Sequence, residues 1–170
     1  MRWESQGIVT DAVDDLVKAL PRPAKDTFLI AFNQHETHQG ERLAGNPLRR
    51  FFSLLDGIAD NDRRVESAEN KRNWNAVKAE AERFGRVPEI NGELEAEIAC
   101  VLEDFKTVLP PEHHAILERT KVRKLFALAR SLDRDVRQID ANRTREVQER
   151  RNQQIERHRR MVELARGRKP

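Results

Sequence analysis

From Glu112 to Arg166 the chain meets neither glycine nor proline. These two residues are the strongest local helix terminators, glycine through backbone entropy and proline through its fixed φ and missing N–H. Their absence over so long a run predicts one long helix or two abutting helices. The run ends in an arginine-rich segment. Residues 133–170 hold 12 Arg or Lys against 7 Asp or Glu, whereas residues 1–132 hold 20 against 22. A basic, highly charged helix on a near-neutral body is the pattern of a chain that binds something.

Composition sets the frame for that helix. Apolar residues make up 38% of the 170 positions and charged residues 36%, enough for one core beneath a heavily charged surface. Cys100 is the single cysteine, so an intramolecular disulfide is excluded and nothing points to an oxidising compartment. Residues 1–6 do not lead into an apolar h-region, and no stretch approaches the ~18 apolar residues of a membrane span. A cytoplasmic location without membrane contact is therefore expected. Arginine supplies 24 of the 32 basic residues. Its planar guanidinium suits phosphate and carboxylate, although a biased genome composition yields the same excess.

Helical periodicity recurs along the chain, and no convincing strand does. Ile8-Val9-Thr10 is the only β-branched cluster, and it is short. Val13, Leu16, Val17 and Leu20 fall at i, i+3, i+4 and i+7, predicting a first helix over 11–20 with Thr10 as N-cap and Pro21-Arg22-Pro23 as its stop. A second helix is expected over 24–39, ended by Gly40. Asn46 and Pro47 are good N-cap and first-turn residues for a third helix carrying Leu48, Phe51, Phe52, Leu55 and Ile58. Asp60-Asn61-Asp62 is expected to break it. A fourth helix over 62–84 would present Trp74, Val77, Ala81 and Phe84. A fifth over 92–109 would bury Leu94, Ile98, Val101, Leu102, Phe105 and Leu109, with Glu93, Glu95 and Glu97 suiting the helix dipole. After Pro110-Pro111 a sixth segment carries Leu125, Leu128, Ala129, Leu132, Val136 and Ile139 on one stripe. Beyond Ile139 the stripe decays, with Arg143, Arg151 and His158 standing where apolar residues would continue it.

Two readings of the tail compete. In the first, Arg143, Arg145, Arg150, Arg151, Arg157, Arg159 and Arg160 neutralise phosphates of a nucleic acid, giving salt-sensitive affinity. In the second, the tail is a self-stabilised, solvated helix. Asp133–Arg137, Glu146–Arg150 and Glu156–Arg160 stand at i, i+4, and Asp140–Arg143 and Glu163–Arg166 at i, i+3. Each such pair adds roughly 0.2–0.5 kcal/mol. At 100° per residue the arginines point in all directions, with no clean basic face. The chain has no Tyr, and no aromatic residue follows Phe126, which disfavours base stacking. The coiled-coil signal is weak, since fewer than three sound heptads follow Leu125. No helix-turn-helix pattern is evident.

Motifs with catalytic chemistry are missing. His35 and His38 stand at i, i+3 in His35-Glu36-Thr37-His38, a spacing that can chelate a metal but lacks a third ligand in sequence. They are weak metal candidates, and no cofactor is expected. Cys100 lies off the apolar stripe of its helix, with no base tied to it by motif. His113-His114 would oppose the dipole of a helix begun at Pro111. Arg49-Arg50 and Arg63-Arg64 read as solvated surface or as a second anionic contact.

The fold expected is all-α: a bundle of five or six helices over 1–139, with an arginine-rich helical extension over 140–170. The function expected is non-enzymatic binding or regulation, in which the body recognises a macromolecule and the extension adds an electrostatic contact to a partner such as nucleic acid. The alternative is a protein–protein adaptor or scaffold whose long helix dimerises or docks through Leu132, Val136, Ile139, Val147 and Ile155. A metal-dependent enzyme at His35 and His38 is the remote alternative.

Overall fold

The computed structural model describes residues 2–38, 45–71 and 92–167. All regular structure within them is helical: α1 Arg2–Ala19, α2 Arg22–His38, α3 Arg49–Lys71, α4 Gly92–Val108, a 3₁₀ turn Pro111–His113, a short α5 Ile116–Arg119, and α6 Val122–Gly167. None of these helices is long and apolar enough to cross a membrane. The apolar part of the expected fourth helix, with Trp74, Val77, Ala81 and Phe84, lies outside the described residues, as does Gly40.

The core sits where α1, α3 and the first half of α6 pack together, with α2 and α4 closing on α3. Phe28 of α2, Phe51 and Phe52 of α3 and Phe105 of α4 are almost completely buried. Phe51 stands 5.8 Å from Phe28, 5.4 Å from Phe52 and 5.1 Å from Phe105, centroid to centroid, within the range of favourable ring contacts. Leu125, Ala129, Leu132 and Val136 line the inner face of α6, and Leu128 and Ile139 pack beside them. The stripe expected there is the observed one.

Three boundaries differ from the sequence reading. α1 begins at Arg2 rather than Asp11, and Ile8-Val9-Thr10 is helical. The added turns are anchored by tertiary contact: Val9 packs on the core, and the buried Ser5 hydroxyl donates to Asp62 Oδ1 at 3.1 Å. α3 does not break at Asp60-Asn61-Asp62 but runs on to Lys71. Aspartate and asparagine cost a helix only about 0.7 kcal/mol each. Burial of Val65 beyond them offsets that cost. The segment after Pro111 is not one continuous helix. It breaks at Thr120, which is extended (φ −89°, ψ 164°).

The break at Thr120 is held from a distance. The Lys121 amide donates to Asp15 Oδ2 at 2.8 Å, and Lys121 Nζ donates to Asp11 Oδ2 at 3.3 Å. The acidic face of α1 thus satisfies a donor at the entry of α6, the task of an N-cap side chain. Asn46 performs that task locally for α3, its Oδ1 accepting from the Leu48 amide at 2.9 Å. Gly45 before it has φ +84°, a conformation that favours glycine.

Salt bridges join the helices at the surface. Arg130 of α6 forks onto Glu95 of α4, Nε to Oε1 at 2.6 Å and Nη2 to Oε2 at 3.0 Å. That hydrogen bonding, with the guanidinium charge, holds the Glu95 carboxyl below the usual range and raises Arg130. A carboxyl lowered on folding contributes stability above its unfolded value and loses it as pH falls through its folded value. Wild type should therefore exceed Glu95→Gln in stability at neutral pH. The gap should be below about 1 kcal/mol, because the pair is exposed. It should shrink as acid protonates Glu95. Urea unfolding of both proteins between neutral and acidic pH tests this, and a pH-independent gap would refute it.

Candidate functional site

Among the described residues, the longest stretch of exposed helix is the second half of α6. Val136 is the last core residue on this helix, and Ile139 packs against the core edge. Two pairs mark the exit. One Arg64 amino group lies 2.9 Å from both carboxylate oxygens of Asp140, and Arg137 Nε donates to Asp133 Oδ2 at 2.9 Å. Asp140 thus turns across to α3, not along α6 to Arg143 as its spacing predicted. Past this point about 28 residues of helix continue, a length of about 42 Å at 1.5 Å per residue.

Arg143, Arg145, Arg150, Arg151, Arg157, Arg159 and Arg160 are all exposed on this extension. Their arrangement has more order than the sequence reading assigned it. Arg143, Arg150 and Arg157 repeat every seven residues, so they form one row that drifts only about 20° per repeat. Glu149, Glu156 and Glu163 form a second row, about 100° around the helix. Arg151, Arg159 and Arg160 fall on other faces. Some of these charges support the helix itself. Arg160 reaches Glu156 at 3.9 Å, and the Gln148 amide donates to Asn152 at 3.3 Å, both at the favourable i, i+4 spacing.

The apolar candidates divide into two groups. Leu132 and Val136 are buried in the bundle and Ile139 is half-buried against it, so the first two are corrected from docking residues to core residues. Val147 and Ile155 are exposed, at 61% and 44%, and Met161 and Leu164 are more exposed still. Among the described residues, four of the six large apolar side chains most open to solvent thus lie on the extension; the others are Leu29 and Ile30 of α2.

The histidines and paired arginines have structural neighbours. His35 stacks on Phe52 at 5.1 Å and its Nε2 lies 3.2 Å from Asp56 Oδ1, which turns it toward α3. The His38 side chain lies outside the described set. Among the described residues, no group of three or more His, Cys, Asp or Glu is placed to share a metal. His114 Nε2 contacts the carbonyls of Leu109 and Lys106 at 2.9 and 3.2 Å. Carbonyls only accept, so this nitrogen carries the proton. His114 therefore caps the C-terminal end of α4 by donating to its last carbonyls, rather than opposing a following helix. Arg50 lies 3.7 Å from Asp104, and Arg63 pairs with Asp60.

The sequence reading missed Asp62. This aspartate is 5% exposed, and the signal for its burial was present: Leu55, Ile58, Asp62 and Val65 share one helical stripe, with the acid in an apolar place. Comparisons with protein-family models, with curated proteins and with solved structures return no match.

Proposed function

We propose that this is a non-enzymatic binding protein whose α6 extension contacts a macromolecular anion, with nucleic-acid phosphate as the target. One observation carries the reading: a helix of about 42 Å continues past the core with its arginines exposed. A solvated helix of this length ordinarily loses to conformational entropy unless side-chain pairs or a partner support it. The row formed by Arg143, Arg150 and Arg157 is the contact face. Its neighbouring glutamate row limits affinity for any polyanion and favours a modest, salt-sensitive interaction over a tight one.

The test is fluorescence anisotropy of labelled DNA and RNA, duplex and single-stranded, with the full chain across a salt series. Arg143→Gln, Arg150→Gln and Arg157→Gln combined should weaken duplex binding. They should also reduce the slope of log affinity against log salt by about 2–3, at about 0.9 per lost phosphate contact. Binding with an unchanged slope would remove this face from the contact. No binding even at low salt would overturn the nucleic-acid reading.

A second reading has its own observation. Val147, Ile155, Met161 and Leu164 expose apolar surface on the same extension, as a helix that docks in a protein groove or pairs with a second copy does. If nucleic acid does not bind, a protein adaptor or scaffold takes precedence.

A further inference from the structure

Asp62 stands in the middle of α3, and its carboxylate accepts one hydrogen bond from the described residues, that of Ser5 Oγ. An ionised carboxylate has about four acceptor positions, and burying one without a cation is costly. Arg63 is the adjacent cation, but its guanidinium is engaged by Asp60. Ser5 lies in the first turn of α1. Among the described residues no cation bonds to this buried carboxylate, and Arg63, which borders the same cleft, shares its charge with Asp60.

That anion opens onto a cleft. The space is about 260 Å³, lies between α1 and α3, and is bordered by Val9, Leu55, Ile58 and Ala59 together with the polar Ser5, Gln6, Asp62 and Arg63. It is smaller than most pockets for drug-sized ligands, which start at about 300 Å³. One carboxylate in the lining of a small, mostly apolar cleft fits a particular chemistry: a positive head that donates hydrogen bonds, on a short aliphatic stem. We infer that this cleft is a binding site for a primary alkylammonium group. The ammonium pairs with Asp62, and the stem rests on Val9, Leu55 and Ile58. The occupant is a small free amine or the lysine side chain of another molecule, since both present the same head and stem. This site is separate from the α6 extension and does not depend on its function.

The test uses the full chain and protein-observed ¹H–¹⁵N spectra. Hexylammonium is titrated against hexanol, which matches its stem but lacks the charge. Saturable shifts at Ser5, Gln6, Val9, Ile58 and Ala59 are expected with hexylammonium, at an affinity at least roughly tenfold above hexanol, as for a charge-assisted contact. Asp62→Asn keeps an acceptor for Ser5 and removes the charge, so it should abolish that preference. Ala59→Phe, at an exposed position on the cleft rim, should block the shifts with Asp62 intact, which keeps the test decisive if Asp62→Asn fails to fold. Nα-acetyl-lysine methylamide then separates the two sources: binding like hexylammonium identifies a lysine side chain, and weaker binding a free amine. Equal response to hexylammonium and hexanol, or no saturable shift, would overturn the inference. So would Ala59→Phe binding hexylammonium as wild type does.

Discussion

Phe51→Ala should destabilise the protein by about 3–5 kcal/mol, the usual cost of removing a buried aromatic ring from a packed core. The ring is 1% exposed and touches aromatic partners on three helices, Phe28 of α2, Phe52 of α3 and Phe105 of α4. No small adjustment of one helix can fill the space, because the other two would lose their own contacts. Beyond the lost burial, each aromatic pair contributes about 0.5–1.5 kcal/mol. Urea unfolding followed by circular dichroism measures the change. A loss below about 1 kcal/mol would mean that α2, α3 and α4 do not share one core, since core truncations of this size rarely cost so little. The phenylalanines were legible as core candidates in the sequence. Their convergence was not, because Phe28, Phe51 and Phe105 belong to separate helices and no spacing rule relates them.

Gln148→Pro should separate the extension from the body. Proline in a helix interior costs about 3 kcal/mol through a lost hydrogen bond and a clash with the preceding turn. Position 148 lies well past Val136, the last core residue of α6, and is itself exposed. The penalty therefore falls on helix that few tertiary contacts support, where local opening is easiest. The expected result is lower helical ellipticity with an unfolding midpoint of the body close to wild type. Phe51→Ala should do the reverse, lowering the midpoint while sparing native helicity at low denaturant. If Gln148→Pro lowers the body's midpoint as strongly as Phe51→Ala does, the extension is packed rather than projecting. The variant also bears on the proposed function, because a break there divides Arg143 from Arg150 and Arg157. Affinity for a polyanion should fall even though no charge has been removed.

The candidate site was readable to different depths at different residues. Arg143, Arg150 and Arg157 were visible as charges, and helical geometry alone arranges them in a row. The exposure of Val147 and Ile155 followed from the arginines that interrupt the stripe around them. Leu132 and Val136 stood on the unbroken stripe that ends at Ile139, and they are buried. What distinguishes them is the presence of α1 and α3 opposite. His35 likewise carried a metal-ligand spacing, and its neighbours Phe52 and Asp56 turned it into a packing residue.

The sequence by itself determined the helical class, the inner faces of α3 and α6, and the end of the core near Ile139. These features rest on i, i+3 and i+4 spacing and on the places where glycine and proline are missing, both of which act within a few residues. Only the tertiary structure decided where three helices begin, continue or break. α1 reaches back to Arg2 with Ser5 bonded to Asp62, 57 positions away, and α3 continues through Asp60-Asn61-Asp62 as its inner face stays buried. The chain turns at Thr120 and re-enters a helix whose first donor is met by Asp15, 106 positions earlier. A helix boundary costs or gains about one hydrogen bond, on the order of 1 kcal/mol. A single partner brought from far along the chain is enough to move it.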